Sequence, residues 1–333
     1  MSLHWSSPTR AFSGAGNLQR FDPGIDRSRY NRALAWLADI GRDLAFASFT
    51  FDPVETGSVV LAPQRLESNP GASGNPVDAA IAASGRTEWE RGFVAMSEAL
   101  AMGAVEKVVL ARQMSISAPT AIDIDAVFMR LQLSNPQTYV FAIEGLVGAS
   151  PELLVSVVGG TLRSVALAGT STGSSGLDDP MIILEHELAA SSVRDGLNPH
   201  MRRIESQQSV IEVGRMRHLA TSFEGDLAPG KGVTDILSTL HPTAAVAGTP
   251  TAAALDLIRG VEPTRRGRYA GPVGWFDREG NGEFAIALRC GQVDGSRATL
   301  YAGGGLVAGA DIDQEWAETE AKLQPMIEAL GMV

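Results

Sequence analysis

Two glutamates and a lysine near the end of the chain have the spacing of side chains that share one flank of a helix: Glu315, Glu318 and Lys322. Because a helix advances about 100° per residue, the three cluster within about 60° on a helix predicted for residues 313–330. The glycine-rich stretch 301–305 just before them offers bare backbone amides. This combination suits an anion bridged by a metal ion, whereas a Glu318–Lys322 pair alone would only stabilise a helix surface.

Lys107 and Glu152 lie where acid–base chemistry is possible. Lys107 opens a hydrophobic strand, where a lysine either extends its ammonium to water or, when partly desolvated, acts as a base. Glu152 follows Ser150-Pro151, a sequence typical of a turn or a helix cap. If Glu152 instead faces a cleft, apolar neighbours would raise its pKa and let it donate a proton.

Five further residues could hold an anionic ligand or a metal ion. Glu185 lies in a predicted helix among apolar neighbours, so it either points to solvent or requires a partner such as Mg²⁺. Tyr269 and Arg289 lie on neighbouring predicted strands, and an arginine can hold a carboxylate through two parallel hydrogen bonds. Gly169-Thr170 could bring an amide and a hydroxyl close to an oxygen-rich ligand, although the same pair is common in turns.

Composition excludes several classes of protein. The 333 residues carry a net charge of −11, which argues against nucleic acid and against an anionic membrane surface as partners. The single cysteine, Cys290, excludes an internal disulfide and a cysteine-built zinc site. Without a signal-peptide pattern or an apolar run of about 20 residues, we expect a cytoplasmic protein. The sequence also has no glycine-rich nucleotide loop and no Gly-x-Ser-x-Gly elbow.

The predicted elements mix helices and strands without strict alternation. A helix leading to a strand is predicted for 29–46, and a hairpin with a Gly159-Gly160 turn for 153–168. Asp179-Pro180 is a helix start typical of an aspartate cap. Further helices are predicted for 89–102, 180–196, 251–258 and 313–330, and further strands for 107–112, 138–143, 269–276, 282–293 and 298–302. The last helix carries an apolar stripe of Trp316, Leu323, Met326, Ile327 and Leu330. This pattern favours an α+β fold with largely antiparallel sheet in one domain.

Taken in order, these segments resemble the chorismate-utilising enzymes, which include isochorismate, salicylate, anthranilate and aminodeoxychorismate synthases. The segments that carry the resemblance are Lys-Val-Val-Leu-Ala-Arg (107–112), Ala-Ser-Pro-Glu-Leu-Leu (149–154), Ala-Leu-Ala-Gly-Thr (166–170), Glu-His-Glu-Leu (185–188), Leu-His-Pro-Thr-Ala-Ala-Val-Ala-Gly (240–248), Tyr-Ala-Gly-Pro-Val-Gly-Trp (269–275), Gly-Asn-Gly-Glu-Phe-Ala-Ile-Ala-Leu-Arg (280–289), Tyr-Ala-Gly-Gly-Gly (301–305) and Glu-Trp-Ala-Glu-Thr-Glu-Ala-Lys (315–322). The 240–248 segment is most like the isochorismate synthase branch. Aminodeoxychorismate synthases often carry a nucleophilic lysine where this chain has Ala168, and alanine leaves room for water.

The resemblance implies two large, mostly antiparallel sheets packed as a sandwich with surrounding helices. It implies one catalytic domain over residues 1–333, with a shortened, more variable part at 1–80 and a motif-bearing core at 95–330. The implied partner is the small molecule chorismate, and no glutaminase subunit is expected because no glutaminase-like segment is present. A monomer is the state implied by the family.

The same resemblance implies a role for each candidate residue. Lys107 would be the base that activates water for attack at C2 of chorismate, and Glu152 the acid that protonates the departing 4-hydroxyl. Glu185 and Glu318 would bind Mg²⁺, with Glu315 supporting them through water. The remaining implied residues bind substrate. The enolpyruvyl carboxylate would be bound by Tyr269, Arg289, Gly303 and Gly305, and the ring site would be lined by Ala168, Gly169 and Thr170. Lys322 would offset negative charge near the metal.

Two segments depart from the family pattern. Many relatives have an arginine-containing segment where this chain has Ser-Thr-Gly-Ser at 171–174, and a Ser-x-Lys run where it has Pro-Met-Ile-Ile-Leu at 180–184. These changes affect lid contacts and substrate affinity but leave the proposed base, acid and metal ligands in place. The expected activity is that of an Mg²⁺-dependent isochorismate synthase. The alternatives are a salicylate synthase, which would go on to eliminate pyruvate, and a catalytically weak chorismate-binding homologue.

Overall fold

The computed structural model describes residues 2–68, 80–81 (backbone only), 85–171, 176–213 and 216–332. Within these residues there are nineteen strands, seven α-helices and a short 3-10 helix at Asn198–His200. The strands are β1 (Leu3–Ser7), β2 (Arg10–Ala15), β3 (Gln19–Phe21), β4 (Leu44–Ser48), β5 (Val59–Ala62), β6 (Arg65–Glu67), β7 (Ala80–Ile81), β8 (Lys107–Ser117), β9 (Tyr139–Ile143), β10 (Leu146–Ser150), β11 (Leu153–Val158), β12 (Thr161–Ser171), β13 (Met201–Val213), β14 (Met216–Leu227), β15 (Gly248–Thr249), β16 (Pro272–Asp277), β17 (Gly282–Ile286), β18 (Cys290–Asp294) and β19 (Arg297–Leu306). The helices are α1 (Arg29–Asp39), α2 (Arg86–Ala101), α3 (Ile124–Ser134), α4 (Pro180–Leu197), α5 (Val233–Leu240), α6 (Thr251–Val261) and α7 (Ile312–Ala329).

The strands form two large antiparallel sheets. The first sheet has the order β15-β8-β19-β18-β10-β9-β1-β2-β6, with β7 pairing β8, and the second has the order β13-β14-β12-β11-β17-β16-β4-β5-β3. Every recorded strand pair is antiparallel, from β1 with β2 to β7 with β8. The predicted α+β sandwich with mostly antiparallel sheets is therefore confirmed.

Alternating residues of the first sheet pack into two different cores. On β9, Phe141 and Ile143 belong to the large core, which also contains side chains of the second sheet such as Val155 and Phe284. The intervening Val140 and Ala142 belong to a smaller core that includes residues of α3 and α7. Because side chains alternate across a strand, β9 has an apolar face on each side and is covered on both.

Two of the places where the chain passes from one sheet to the other are neighbours in space. Strand β10 of the first sheet leads through Pro151-Glu152 into β11 of the second, and β17 of the second sheet leads through residues 287–289 into β18 of the first. The single strand predicted for 282–293 is therefore wrong. Arg289 has a φ of +48°, a left-handed conformation that strand pairing does not allow, and the strand breaks there.

The hairpin and helix-cap predictions are confirmed. Strands β11 and β12 pair across Gly159 and Gly160, which both have positive φ, and Asp179 accepts a hydrogen bond from the N–H of Met181 at 2.8 Å. The strands β1–β3, β5–β7, β10 and β13–β15 and the helices α3 and α5 were not predicted. In the part of the chain that the structure describes, no helix is long and apolar enough to cross a membrane.

Candidate active site

A central cavity lies beside the β10–β11 and β17–β18 crossings, which contribute Glu152 and Arg289 to its lining. It encloses about 670 Å³ of space not filled by atoms, including its open mouth. Most of the predicted site residues line it: Glu152, Ala168, Gly169, Thr170, Glu185, Tyr269, Arg289, Gly303, Gly305 and Lys322. The remaining three are outside the lining: Lys107 and Glu318 contact the lining residues Glu185 and Lys322, and Glu315 is close enough to Glu185 to feel its charge.

Glu152 is a buried carboxyl group at the first crossing between the sheets. It does not cap a helix, since it lies between β10 and β11, with its own N–H donating to the Ser150 hydroxyl at 3.2 Å. Its Oε1 accepts a long hydrogen bond of 3.5 Å from the Leu167 N–H. Burial raises the pKa of Glu152 to about 8, although that N–H and the charges of Lys107 and Lys322 act in the opposite direction. The group is therefore mostly protonated at neutral pH and able to donate a proton.

Lys107 and Glu185 form an ion pair behind the cavity wall. Lys107 is fully buried, so the alternative in which its ammonium reaches water is wrong. Its Nζ lies 3.2 Å from Glu185 Oε1 and 3.4 Å from the Glu185 carbonyl oxygen. The other oxygen of Glu185 accepts a hydrogen bond of 3.1 Å from the Gly169 N–H. Glu185 therefore points inward and joins α4 to β8 and β12.

The flank of α7 predicted from the sequence faces the same region. Lys322 forms an ion pair with Glu318 and donates a 2.8 Å hydrogen bond to the Gly303 carbonyl. Glu315 has a buried Oε2 with no hydrogen-bond partner among the described residues. Burial raises the pKa of Glu315, and the neighbouring charges of Glu318 and Glu185 raise it further. The three carboxylates are thus close enough to affect one another.

Glycines on β19 allow these carboxylates to approach the strand. A Cβ atom at Gly305 would stand 2.1 Å from Glu185 Oε1, and one at Gly304 would stand 2.6 Å from Glu315 Oε2. Neither distance is possible between real atoms, so side chains at these positions would displace the carboxylates. The glycine-rich stretch therefore allows acidic side chains to pack closely against the backbone of β19.

The donor set suits a hard cation such as Mg²⁺, which prefers carboxylate oxygens and water. The unpartnered, buried oxygen of Glu315 beside two further carboxylates fits such an ion. Among the described residues, however, no three His, Cys, Asp or Glu side chains are already arranged as a metal-binding group. Glu185 and Glu318 each contact a lysine instead.

Arg289 and Tyr269 provide the polar groups on another wall of the cavity. Arg289 is buried and has no carboxylate partner among the described residues; its terminal nitrogens lie 3.7 Å and 3.9 Å from the Met216 sulfur. Burial lowers the pKa of Arg289 to about 10, so the guanidinium stays charged at neutral pH. Burial also raises the pKa of Tyr269, which keeps its hydroxyl protonated. An unpaired cation in a buried wall suits a carboxylate ligand.

His218 is the main cavity residue that the sequence did not reveal. It lies on β14, and its Nδ1 is 3.0 Å from the Thr170 hydroxyl. Burial, together with the charges of Arg289 and Lys322, lowers the pKa of His218 to about 3, so the imidazole is neutral. Only the register of β14 against β12, which pairs Thr170 with His218, places it in the cavity. Ala245 and Val246, from the 240–248 segment that is most like the isochorismate synthase branch, also line the cavity.

Comparison with known proteins agrees with this fold and cavity. The family described as chorismate binding enzyme matches residues 61–331. The chain is 32% identical to isochorismate synthase EntC of Escherichia coli, over 98% of this chain and 94% of that protein. It is 35% identical to isochorismate synthase MenF of Bacillus subtilis, over 74% of this chain and 56% of MenF. The chain thus spans little more than half of that relative.

Solved structures show the same architecture. The crystal structure of DhbC from Bacillus anthracis superimposes with a TM-score of 0.91 and 29% identity, covering 100% of this chain and 96% of that chain. MenF of Escherichia coli gives a TM-score of 0.80 at 22% identity, over 99% of this chain and 88% of that chain, which supports the fold alone. The sandwich of two antiparallel sheets and its central cavity define an enzyme-like site for a small anionic molecule. The chain belongs to the chorismate-binding enzymes, as the sequence resemblance predicted.

Proposed function

We propose that this protein is an Mg²⁺-dependent isochorismate synthase, which adds water at C2 of chorismate while the 4-hydroxyl departs. The relatives EntC and MenF carry that activity in their names, and the cavity holds groups of the kinds this reaction requires. The substrate is a dianion and the protein is acidic, so the cavity itself must supply positive charge. Arg289 and Lys322 at its walls are such charges.

The observation that carries the proposal is a carboxylic acid and a lysine buried within electrostatic reach of each other. Glu152 is protonated at neutral pH, and the charge of Lys107 acts on it. Acid and base must work on different ring positions in one transition state, so two groups held apart, with Glu152 lining the cavity and Lys107 just behind its wall, fit the chemistry. In the proposal, the Lys107 ammonium first loses its proton to solvent. The neutral amine then takes a proton from the attacking water, and Glu152 gives one to the departing hydroxyl.

The other residues hold and orient the substrate. Arg289, Tyr269 and the backbone near Gly303 and Gly305 would bind the enolpyruvyl carboxylate, with Arg289 forming two parallel hydrogen bonds. Gly169 and Thr170, next to Ala168, would line the ring. Glu185 and Glu318 would hold Mg²⁺ directly and Glu315 through water. When bound, the ion would neutralise and orient the ring carboxylate. Lys322 would limit repulsion among the acidic groups.

A small side chain at Ala168 supports water as the nucleophile over an amine. Ala168 lines the cavity beside Gly169, and the methyl group leaves space for a water molecule. The adjacent Ala245 and Val246 come from the segment that is most like the isochorismate synthase branch. We further propose that the protein acts in the cytoplasm as a monomer and needs no glutaminase subunit.

Product analysis after incubation with chorismate tests this function. We expect isochorismate to accumulate with Mg²⁺ and not after chelation with EDTA, and pyruvate to stay at the background level. Pyruvate released in step with chorismate loss would instead identify a salicylate synthase. Binding of chorismate without any conversion would identify a silent homologue, and turnover that requires ammonia would identify an amine-adding synthase.

A further inference from the structure

The last helix, α7, packs in two different cores along its length. Trp316 in its first half packs against the large core, whereas Leu323 in its second half belongs to the smaller core. Pro325 lies inside the helix and has no N–H group, so one of the backbone hydrogen bonds that would join the two halves is missing. The first half, which carries Glu315 and Glu318, therefore depends on contacts of its own for its position.

The ring of Trp316 is held by side chains of β8 and α2. The guanidinium of Arg112 on β8 lies over this ring, with its Cζ 3.9 Å from the ring centroid, and that of Arg86 on α2 lies over it at 5.4 Å. The ring of Trp89, also on α2, meets that of Trp316 in an edge-to-face arrangement, with centroids 5.3 Å apart and an interplanar angle of 68°. Because cation–π and edge-to-face contacts have preferred geometries, they fix the orientation of Trp316.

Arg112 also holds the following turn of α7 through hydrogen bonds. Its Nε donates to the Thr319 hydroxyl at 2.7 Å, and its Nη2 forms an ion pair with Glu320. Thr319 is fully buried, and its hydroxyl donates to the Trp316 carbonyl at 2.8 Å. Because the Arg112 side chain is itself nearly fully buried, water competes little for these contacts. One side chain of β8 thus contacts three residues of α7.

The residues that Arg112 contacts are direct neighbours of the proposed metal ligands. Glu315 precedes Trp316 in the helix, and Glu318 precedes Thr319. Residues within one helical turn are joined by backbone hydrogen bonds and move together. A rotation of the first half of α7 that displaced the ring of Trp316 would therefore displace both carboxylates as well.

We propose that Arg112 is a positioning residue for the metal ion: it fixes the rotation of the first half of α7 and so places the carboxylates of Glu315 and Glu318. Arg112 and Lys107 lie on the same strand, β8. That strand would then carry the proposed base and also orient the proposed metal ligands. The assignment rests on the metal site of the proposed function and adds a residue that supports it.

Binding of Mn²⁺, a paramagnetic substitute for Mg²⁺, tests this assignment without a rate measurement. The titration is followed by electron paramagnetic resonance with excess chorismate in the Glu152→Gln background, where turnover should be too slow to consume the substrate. Adding Arg112→Met should raise the Mn²⁺ dissociation constant by about tenfold or more, because residues that orient metal ligands typically contribute 10- to 100-fold in affinity. An unchanged dissociation constant would overturn the assignment.

Two substitutions at Thr319 provide a smaller change in the same contact. Thr319→Val keeps the shape of the side chain but removes the oxygen that accepts from Arg112, so the Mn²⁺ dissociation constant should rise about three- to tenfold. Thr319→Ser keeps the hydroxyl and should bind Mn²⁺ as the parent does. Equal affinities in these two variants would contradict positioning through this hydrogen bond.

Arg259→Met is the matched control that separates positioning from a general loss of stability. Arg259 on α6 donates to the buried carboxylate of Asp52 at 2.6 Å and 2.9 Å. Because the substitution leaves a buried charge unpaired, the midpoint of thermal unfolding should fall, whereas the Mn²⁺ affinity should stay that of the parent. A loss of Mn²⁺ affinity as large as that in Arg112→Met would overturn the assignment.

The assignment and the proposed function can fail separately. Absence of saturable Mn²⁺ binding in the Glu152→Gln background would overturn the assignment even if the wild type forms isochorismate. A wild type that forms no isochorismate would refute the proposed function. An Mn²⁺ affinity that depends on Arg112 would still support its positioning role in that case, because the resonance signal reports bound metal and not conversion.

Discussion

At the scale of single residues, burial decides which charged groups can do chemistry. Lys107 and Glu152 are both typical of surface or cap positions when read locally, yet the fold buries both beside one cavity. Their local sequences could not show this, because burial depends on strands that are remote in the chain. The family motifs predicted that both residues belong to one site, whereas Glu152's protonated state follows only from its burial in the structure.

Glu152→Gln should abolish turnover, since an amide cannot donate the proton that the departing hydroxyl needs; we expect a loss of about 10²-fold or more. The pH dependence of kcat/KM in the wild type provides a second test of the role of Glu152. Because the pKa of Glu152 is raised to about 8, the acid form is present below that pH and is lost as the pH rises through it. The rate constant kcat/KM should therefore fall on the alkaline side near pH 8. An alkaline limb that persists unchanged in the residual activity of Glu152→Gln would assign that limb to another group.

Lys107→Met keeps most of the buried volume and removes the proposed base, so turnover should fall by about 10²- to 10⁴-fold. Chorismate turnover and far-ultraviolet circular dichroism, measured together, separate lost chemistry from lost fold. Lys231→Met, at a partly exposed lysine that pairs with Asp235, is the matched control and should retain wild-type activity. Substantial activity in Lys107→Met would remove this residue from the mechanism.

At the scale of elements, the spacing of apolar residues predicted the helices better than it predicted the strands. The predicted stripe of α7 is confirmed, since Leu323, Met326 and Leu330 are buried while Glu315 and Lys322 face the cavity region. In contrast, β13 was missed because it is an edge strand whose residues are mostly exposed on both faces. Such a strand has no alternation of apolar and polar residues to detect. Its partner β14 was not predicted either. His218, which lies on β14, was therefore not identified as a cavity residue.

Gly305→Ala tests how closely β19 approaches the ion pair of Lys107 and Glu185. The added methyl would stand 2.1 Å from Glu185 Oε1 and 3.0 Å from Lys107 Cε, so one of them must move. Because displacements of about 1 Å can cost 10²-fold in rate, we expect turnover to fall by that order. Gly260→Ala in α6 has open space around the new atom and should gain about 0.5–1 kcal/mol in stability at full activity. Equal activity in the two variants would contradict the close packing.

Glu318→Gln on α7 tests the proposed metal site. Loss of one carboxylate should raise the Mg²⁺ concentration needed for half-maximal turnover by about 10- to 100-fold. The readout is a titration of activity with MgCl₂ at fixed chorismate concentration. Glu328 is exposed on a different face of α7, so Glu328→Gln is the control and should leave the Mg²⁺ titration unchanged. An unchanged titration in Glu318→Gln would exclude this side chain as a ligand.

At the scale of the whole molecule, two of the chain's crossings between the sheets lie side by side and bring site residues together. Glu152 lies at the crossing from β10 to β11 and Arg289 at the crossing from β17 to β18. The sequence predicted antiparallel sheets but read 282–293 as one strand, because nothing in local alternation reveals which sheet a strand joins. The change of sheet is marked by the positive φ of Arg289, a backbone angle that local alternation does not reveal. The fold class was thus predictable from pattern and resemblance, whereas the convergence of the side chains was predictable from the resemblance alone.

The central claim is that this cavity adds solvent water to chorismate, and turnover in H₂¹⁸O tests it most directly. Mass spectrometry of isochorismate from initial-rate samples, taken before the reverse reaction contributes, should show one ¹⁸O per molecule, located at the C2 hydroxyl. Unreacted chorismate in the same samples should carry none. Isochorismate that forms without solvent ¹⁸O would contradict the account, because the hydroxyl would then have moved within the substrate.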